Sequence, residues 1–148
     1  MCPRRGDLLM TFLHRVLALA SAFVLTLTLT ASAKLPAPEA KLLRFHNAAR
    51  VEHGLEPLVR AARLRDIAEE HARVMSILGD LEHSGVVPPG CSAWGENVGV
   101  GPSVWRLHRA FMASPPHRAN ILGRFTQVGV GVVRDDGTVW VTVVFCRP

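Results

Sequence analysis

The sequence predicts an α+β domain with helices packed on an antiparallel sheet. The first half carries apolar residues at helical spacing, and the last quarter alternates valine with glycine before a tight turn. At 148 residues the chain has room for a single domain, and with 49% hydrophobic and 20% charged residues it has apolar material for a packed core. Residues 1–33 read separately. Arg4, Arg5, His14 and Arg15 precede a charge-free stretch that ends in Ala31-Ser32-Ala33, the pattern of a secretory signal peptide cleaved after Ala33. An uncleaved anchor and twin-arginine export at Arg4-Arg5 are the alternatives; all three export the domain. Residues 34–38, with Pro36 and Pro38, read as a linker, and 39–148 as the domain.

Within the domain, Leu42, Leu43, Phe45, Ala49 and Val51 predict a first helix over Glu39 to His53, stopped by Gly54. Leu64, Ile67, Ala68, Ala72, Met75 and Leu78 predict a second over Ala61 to Leu78, ended by Gly79. Residues 82–101 are rich in Gly and Pro and read as loop, with a short strand around Asn97 to Val100. Ser103 is placed to cap a third helix to Ala113, Pro115-Pro116 breaks it, and Arg118 to Leu122 forms a helical turn. Val128, Val130 and Val132 with Val139 to Phe145 predict a hairpin around Asp135-Asp136-Gly137.

The net charge of +5 falls to +3 once residues 1–33 are set aside, so no nucleic-acid footprint is left. The domain keeps two cysteines, Cys91 and Cys146, and in an exported chain one disulfide is the natural reading, with two buried thiols as the alternative. Neither has a Cys or His two to four residues away, which argues against a structural zinc site. His46 and His53 lie seven apart on one helix without a carboxylate to complete a metal site, and read as solvated or capping. His71 reads as surface or half-buried. His83, beside Ser84 at the start of the Gly-rich segment, and Glu96, between Gly95 and Asn97, form the candidate pair, with His117 as a third member. A histidine and a carboxylate can share a proton or hold a divalent cation together. A hydrogen-bonding pair that pins the loop is the plainer alternative.

Five segments carry a resemblance. His46-Asn47-Ala48-Ala49-Arg50, His83-Ser84, Gly95-Glu96-Asn97-Val98, Ser114 to Leu122 and Phe125 to Gly131, in that order, resemble the CAP superfamily of cysteine-rich secretory proteins, antigen 5 and pathogenesis-related 1 proteins, in its bacterial SCP-like branch. The resemblance implies an α-β-α sandwich with a central antiparallel sheet flanked by helices, and an open cleft. In animal and plant members two histidines and two glutamates there can bind a divalent metal such as zinc. The first His falls on His83 and the first Glu on Glu96, but Ser114 and Arg124 stand where the other two would be. The expected cleft is therefore His83, Glu96, His117, Ser114 and Arg124, and the possible metal ligands are His83, Glu96 and His117. A serine nucleophile at Ser84 or Ser114 lacks an orienting Asp.

The function that follows is a secreted or cell-envelope binding module, monomeric and without nucleic-acid partners or stable membrane insertion once the signal is removed. Its ligand would be a lipid, sterol, peptide or cell-wall fragment. A metal-assisted hydrolase or peptidase using His83 and Glu96, and a structural or host-interaction protein, are the alternatives. Enzymatic activity is not the leading expectation.

Overall fold

The computed structural model describes residues 37–148. The expected signal peptide and most of the linker lie outside these described residues. Helix α1 spans Ala37–Glu52 and starts two residues earlier than the sequence pattern indicated. Pro38 sits in its first turn, where a missing N–H removes no helical hydrogen bond. Leu42, His46, Ala49 and Arg50 are buried, a stripe at three- and four-residue spacing.

Strand β1 is only Val59–Arg60, and α2 follows over Ala62–Leu78. Leu64, Ala68, Ala72 and Met75 form the buried stripe of α2, and Gly79 closes it in the left-handed conformation at φ 66°, its N–H donating to the Met75 carbonyl. Strand β2 covers Ala93–Gly101, helix α3 Val104–Ala113 and helix α4 Pro115–Ile121. Ser103 caps α3 by accepting from the Arg106 N–H at 3.2 Å. Pro115-Pro116 both ends α3 and opens α4, since proline suits the first helical positions; the turn expected from Arg118 therefore begins earlier. Strands β3 (Gln127–Asp135) and β4 (Thr138–Arg147) form the hairpin. Its two-residue turn takes positive φ at Asp136 (41°) and Gly137 (75°), the pattern that matches strand twist.

Among the described residues the sheet has four strands in the order β1-β3-β4-β2. It is mixed rather than wholly antiparallel, because β1 runs parallel to β3, with Val59 opposite Gln127. Two residues are too few to show a strand period in sequence. β2 is also longer than expected, pairing with β4 along its whole length from Ala93↔Arg147 to Gly101↔Val139. Its glycines hid it. A Cβ on Gly95 would lie 2.5 Å from Asn120 Oδ1, and one on Gly99 2.9 Å from the Phe111 ring, so the face of β2 toward α3 and α4 has no space for the side chains that advertise a strand.

The result is a three-layer α-β-α sandwich. On one face Leu42 and Leu43 of α1, Leu107 and Phe111 of α3 and Ile121 of α4 pack on Val128, Val130, Val141, Val143 and Phe145. On the other face Leu64 and Ala68 of α2 meet Val144 and Cys146, and Met75 meets Val98 and Trp140. No helix of the described residues is long and apolar enough to cross a membrane.

Candidate functional site

Glu96 and Val98 are two apart on β2 and share the face on which Val98 meets α2. The Glu96 carboxylate is 4% exposed and the His83 side chain 62%, and His83 Nδ1–H donates to Glu96 Oε1 at 2.8 Å. The Ser84 backbone N–H donates to the same oxygen at 2.9 Å. Glu96 Oε2 is buried without a partner. A buried acceptor thus fixes the imidazole tautomer and presents its Nε2 outward. His71, expected to be surface or half-buried, steadies this loop from α2: its Nε2–H donates to the Glu82 carbonyl at 2.8 Å, one residue before His83.

The third member, His117, lies half-buried in the first turn of α4, its ring edge-on to Phe111 at 5.1 Å. Burial pushes its pKa down, and repulsion from His83 pushes the same way, which places the two imidazoles within electrostatic reach. A polar latch holds α4 against β2. Buried Asn97 donates from Nδ2 to the His117 carbonyl at 3.0 Å, while Asn120 Nδ2 donates to Asn97 Oδ1 at 2.8 Å and to the Glu96 carbonyl at 3.1 Å. Nothing in the residue order marks Asn97 and Asn120 as partners, although both lie inside the motif segments Gly95-Glu96-Asn97-Val98 and Ser114 to Leu122.

The other two expected cleft residues make no side-chain hydrogen bond or ion pair to the dyad among the described residues. Ser114 joins α3 to α4, its backbone N–H donating to Ala110 and Phe111 and its side chain making no cap hydrogen bond. Arg124 is exposed and lines a hollow of about 450 Å³ with Arg50, Leu55, Glu56, Pro57 and Thr126, which includes none of His83, Glu96 or His117. Arg124 precedes β3, and β4 lies between β3 and the strand that carries Glu96. A second hollow, of about 300 Å³, lies over the α3–α4 junction at Met112, Pro115, Arg118 and Leu122.

These residues do not fit a metal. Among the described residues no group of three or more His, Cys, Asp or Glu side chains is placed to hold one, and Glu96 Oε1 is already committed to two donors. A serine nucleophile is also not assembled: the Ser84 hydroxyl accepts from the Val86 N–H at 3.2 Å, a local turn. Exposed apolar side chains lie close to the dyad along the chain. Val86 and Val87 follow Ser84 in the loop, and Trp94 is two residues from Glu96 on the same face of β2; they are 45%, 65% and 39% exposed.

The remaining motif residues are structural. Asn47 clasps the Leu58 backbone, accepting its N–H at 2.9 Å and donating to its carbonyl at 3.2 Å. Arg50 donates to the carbonyls of Glu56, Ile121, Gly123 and Phe125 at 2.8 to 3.1 Å. His46, expected to be solvated or capping, is fully buried against His108. His53 does serve the end of α1, its Nδ1–H donating to the Ala49 carbonyl at 2.7 Å. Cys91 and Cys146 are bonded, with Cα atoms 5.5 Å apart.

A search of curated protein sequences finds no significant match. Among solved structures the chain is similar to an outer surface protein from Borrelia burgdorferi, at TM-score 0.67 and 18% identity, covering 73% of this chain and 90% of that one. It is similar to an extracellular protein containing an SCP domain from Bacillus anthracis, at TM-score 0.66 and 23% identity over 75% of this chain and 40% of that one. Venom allergen-like protein 4 from Schistosoma mansoni gives TM-score 0.64 at 10% identity, over 76% and 89% of the two chains. At these identities the likeness is one of fold. The family model of the cysteine-rich secretory protein family, CAP, matches residues 43–146, which include every motif segment above, and the chain belongs to that family.

Proposed function

We propose that the domain is an exported, non-enzymatic binding module for a small amphipathic ligand of lipid or cell-envelope origin, taken at the His83–Glu96 surface. One observation carries this reading: an exposed imidazole oriented by a buried carboxylate, bordered by Val86, Val87 and Trp94, with no third metal donor or serine nucleophile beside it among the described residues. Apolar groups around a single directional polar group suit a ligand with one polar end. Export is supported by the signal-like residues 1–33 and by the disulfide, which persists in oxidising compartments. A hydrolase working through a side-chain nucleophile or a metal-bound water finds neither beside the imidazole among the described residues, which leaves general-base action on free water as the enzymatic alternative that the test below addresses.

The test is to incubate the purified domain with an extract of envelope lipids, re-isolate it and identify retained molecules by mass spectrometry. Wild-type protein is expected to retain a species that His83→Ala and Trp94→Ala lose. Retention that is equal in all three proteins would refute the site. A hydrolysis product that disappears in His83→Ala would show an enzyme instead.

A further inference from the structure

The disulfide between Cys91 and Cys146 has two unlike ends. Cys146, near the end of β4, is fully buried beside Leu64, Ala68 and Val144. Cys91 lies at the border of that cluster and is partly open to solvent. Over the pair sits the guanidinium of Arg63, from the first turn of α2. Its Nε–H donates to the Pro89 carbonyl at 3.1 Å and its Nη1 to Gln127 Oε1 at 3.0 Å. So held, Nη2 points at the sulfurs, 3.4 Å from Cys146 Sγ and 3.8 Å from Cys91 Sγ. Arg63 takes part in none of the ion pairs among the described residues, so its charge is not neutralised by a carboxylate.

A disulfide is opened by a thiolate that attacks one sulfur and expels the other as an anion, and the rate rises as the expelled thiolate is stabilised. Burial alone would make Cys146 a poor leaving group, because a desolvated thiolate is disfavoured. A cation at hydrogen-bond distance reverses that. We propose that the Cys91–Cys146 bond is a polarised thiol-exchange site, at which an external thiolate attacks Cys91 Sγ and Cys146 departs as a thiolate held by Arg63. The partner is a low-molecular-weight thiol or the reactive thiol of a dithiol oxidoreductase. The attacking sulfur forms a mixed disulfide with Cys91, the Cys91–Cys146 bond breaks, and its electron pair leaves on Cys146 Sγ. A second thiolate on the mixed disulfide then releases the partner as its own disulfide and leaves both cysteines reduced. The loop from Gly79 to Ser92, which carries His83, thereby loses its covalent tie to β4 and keeps its hydrogen bonds to Glu96 and His71.

The experiment treats the folded, oxidised protein with excess glutathione, quenches it with acid at timed intervals and locates the adduct by peptide mass spectrometry. The glutathione is expected on Cys91 with the free thiol on Cys146. Arg63→Met is expected to slow the reaction severalfold, because a leaving thiol of higher pKa departs more slowly, and Arg63→Lys to recover part of the rate. An adduct on Cys146, an even mixture, or an unchanged or faster rate in Arg63→Met would overturn the proposal. A second measurement is independent of the exchange rate: in Cys91→Ser, the ultraviolet absorbance of the Cys146 thiolate is expected to appear at lower pH when Arg63 is intact than when Arg63→Met is added. Coincident curves would overturn the role given to Arg63.

Discussion

His46 of α1 and His108 of α3 meet Nδ1 to Nδ1 at 3.0 Å in the layer between the helices and the sheet. A single proton lies between them. His46 Nε2 is buried without a partner, and a bare acceptor is tolerated there better than an orphaned N–H. His46 is therefore the Nδ1–H donor and His108 the acceptor, with the His108 Nε2–H toward the surface. Phe145 stacks on His46, and Phe45 and Trp105 flank His108.

Protonating one imidazole puts a cation in an apolar layer, and protonating both puts two there facing each other. Burial, with repulsion from His108, pushes the His46 pKa from 6.5 down to about 3. Burial also lowers His108, against a smaller opposing attraction from Glu52. Between 6.5 and about 3 the unfolded chain binds more protons than the folded one, so stability is lost as pH falls through that window. The slope for one such group is about 1.4 kcal/mol per pH unit. Urea unfolding at pH 7 and pH 5 is expected to show a loss of about 2 kcal/mol from His46 alone. His46→Leu is expected to flatten that dependence; an equal slope in wild type and variant would refute the buried pair.

The contrast between His46 and His83 shows what could be read from residue order. His83 and Glu96 are 13 apart, in a loop and an adjacent strand whose Gly-rich borders mark a special place, and both sit in recognisable motifs. His46 has its partner 62 residues away, and nothing local reveals it. The stripe Leu42, His46, Ala49 does put it on the buried side of α1, which is the signal that could have found it. Similarly, the hairpin was legible from Val alternation and Asp-Gly, whereas β2 was obscured because the glycines opposite Asn120 and Phe111 answer to tertiary packing rather than to strand propensity.

Arg50 has no carboxylate partner among the described residues; its charge is dispersed over four backbone carbonyls from two loops, and burial lowers its pKa. Arg50→Met would leave these acceptors without their donor and release the segment from Ile121 to Phe125. A loss of about 3 to 5 kcal/mol is expected. Arg50→Lys, with one ammonium in place of a planar fork, is expected to recover less than half of it. Denaturant midpoints at unchanged slope measure both values.

Gly129 and Gly131 of β3 lie directly under α2. A Cβ at Gly129 would come 2.0 Å from the Leu64 backbone carbon, and one at Gly131 2.1 Å from the Ala68 carbonyl oxygen. Backbone cannot rotate away as a side chain can. Alanine at either position is expected to cost about 3 kcal/mol or more by lifting α2 off the sheet. Gly54→Ala, at φ +70° with open space around it, is expected to cost only about 1 kcal/mol of backbone strain. Thermal unfolding of the three variants orders them, and a Gly54 variant as damaged as Gly131→Ala would refute the contact argument.

Glu39, in the first turn of α1, is buried with Oε2 unpartnered. Desolvation raises its pKa, and repulsion from Glu69 adds to that against backbone hydrogen bonds and Arg134. Its folded form holds a proton more tightly than the unfolded chain, so its contribution declines as pH rises above the ordinary carboxylate range. Glu39→Gln is expected to raise the melting temperature at pH 7 by a few degrees and to have little effect at pH 4. A lower melting temperature at pH 7 would mean that the carboxylate is a net stabiliser.

His117 supplies a direct check on the geometry of the candidate site. Its pKa is lowered first by burial beside Phe111 and second by His83. His83→Ala removes the second cause, which favours a protonated His117. The His117 ring proton, followed by NMR across pH 4 to 8, is therefore expected to titrate at higher pH in His83→Ala than in wild type, while staying below the usual histidine value because burial persists. A His117 titration that is indifferent to His83→Ala would mean that the two imidazoles do not face each other, and the ligand surface would then reduce to His83, Glu96 and their apolar border.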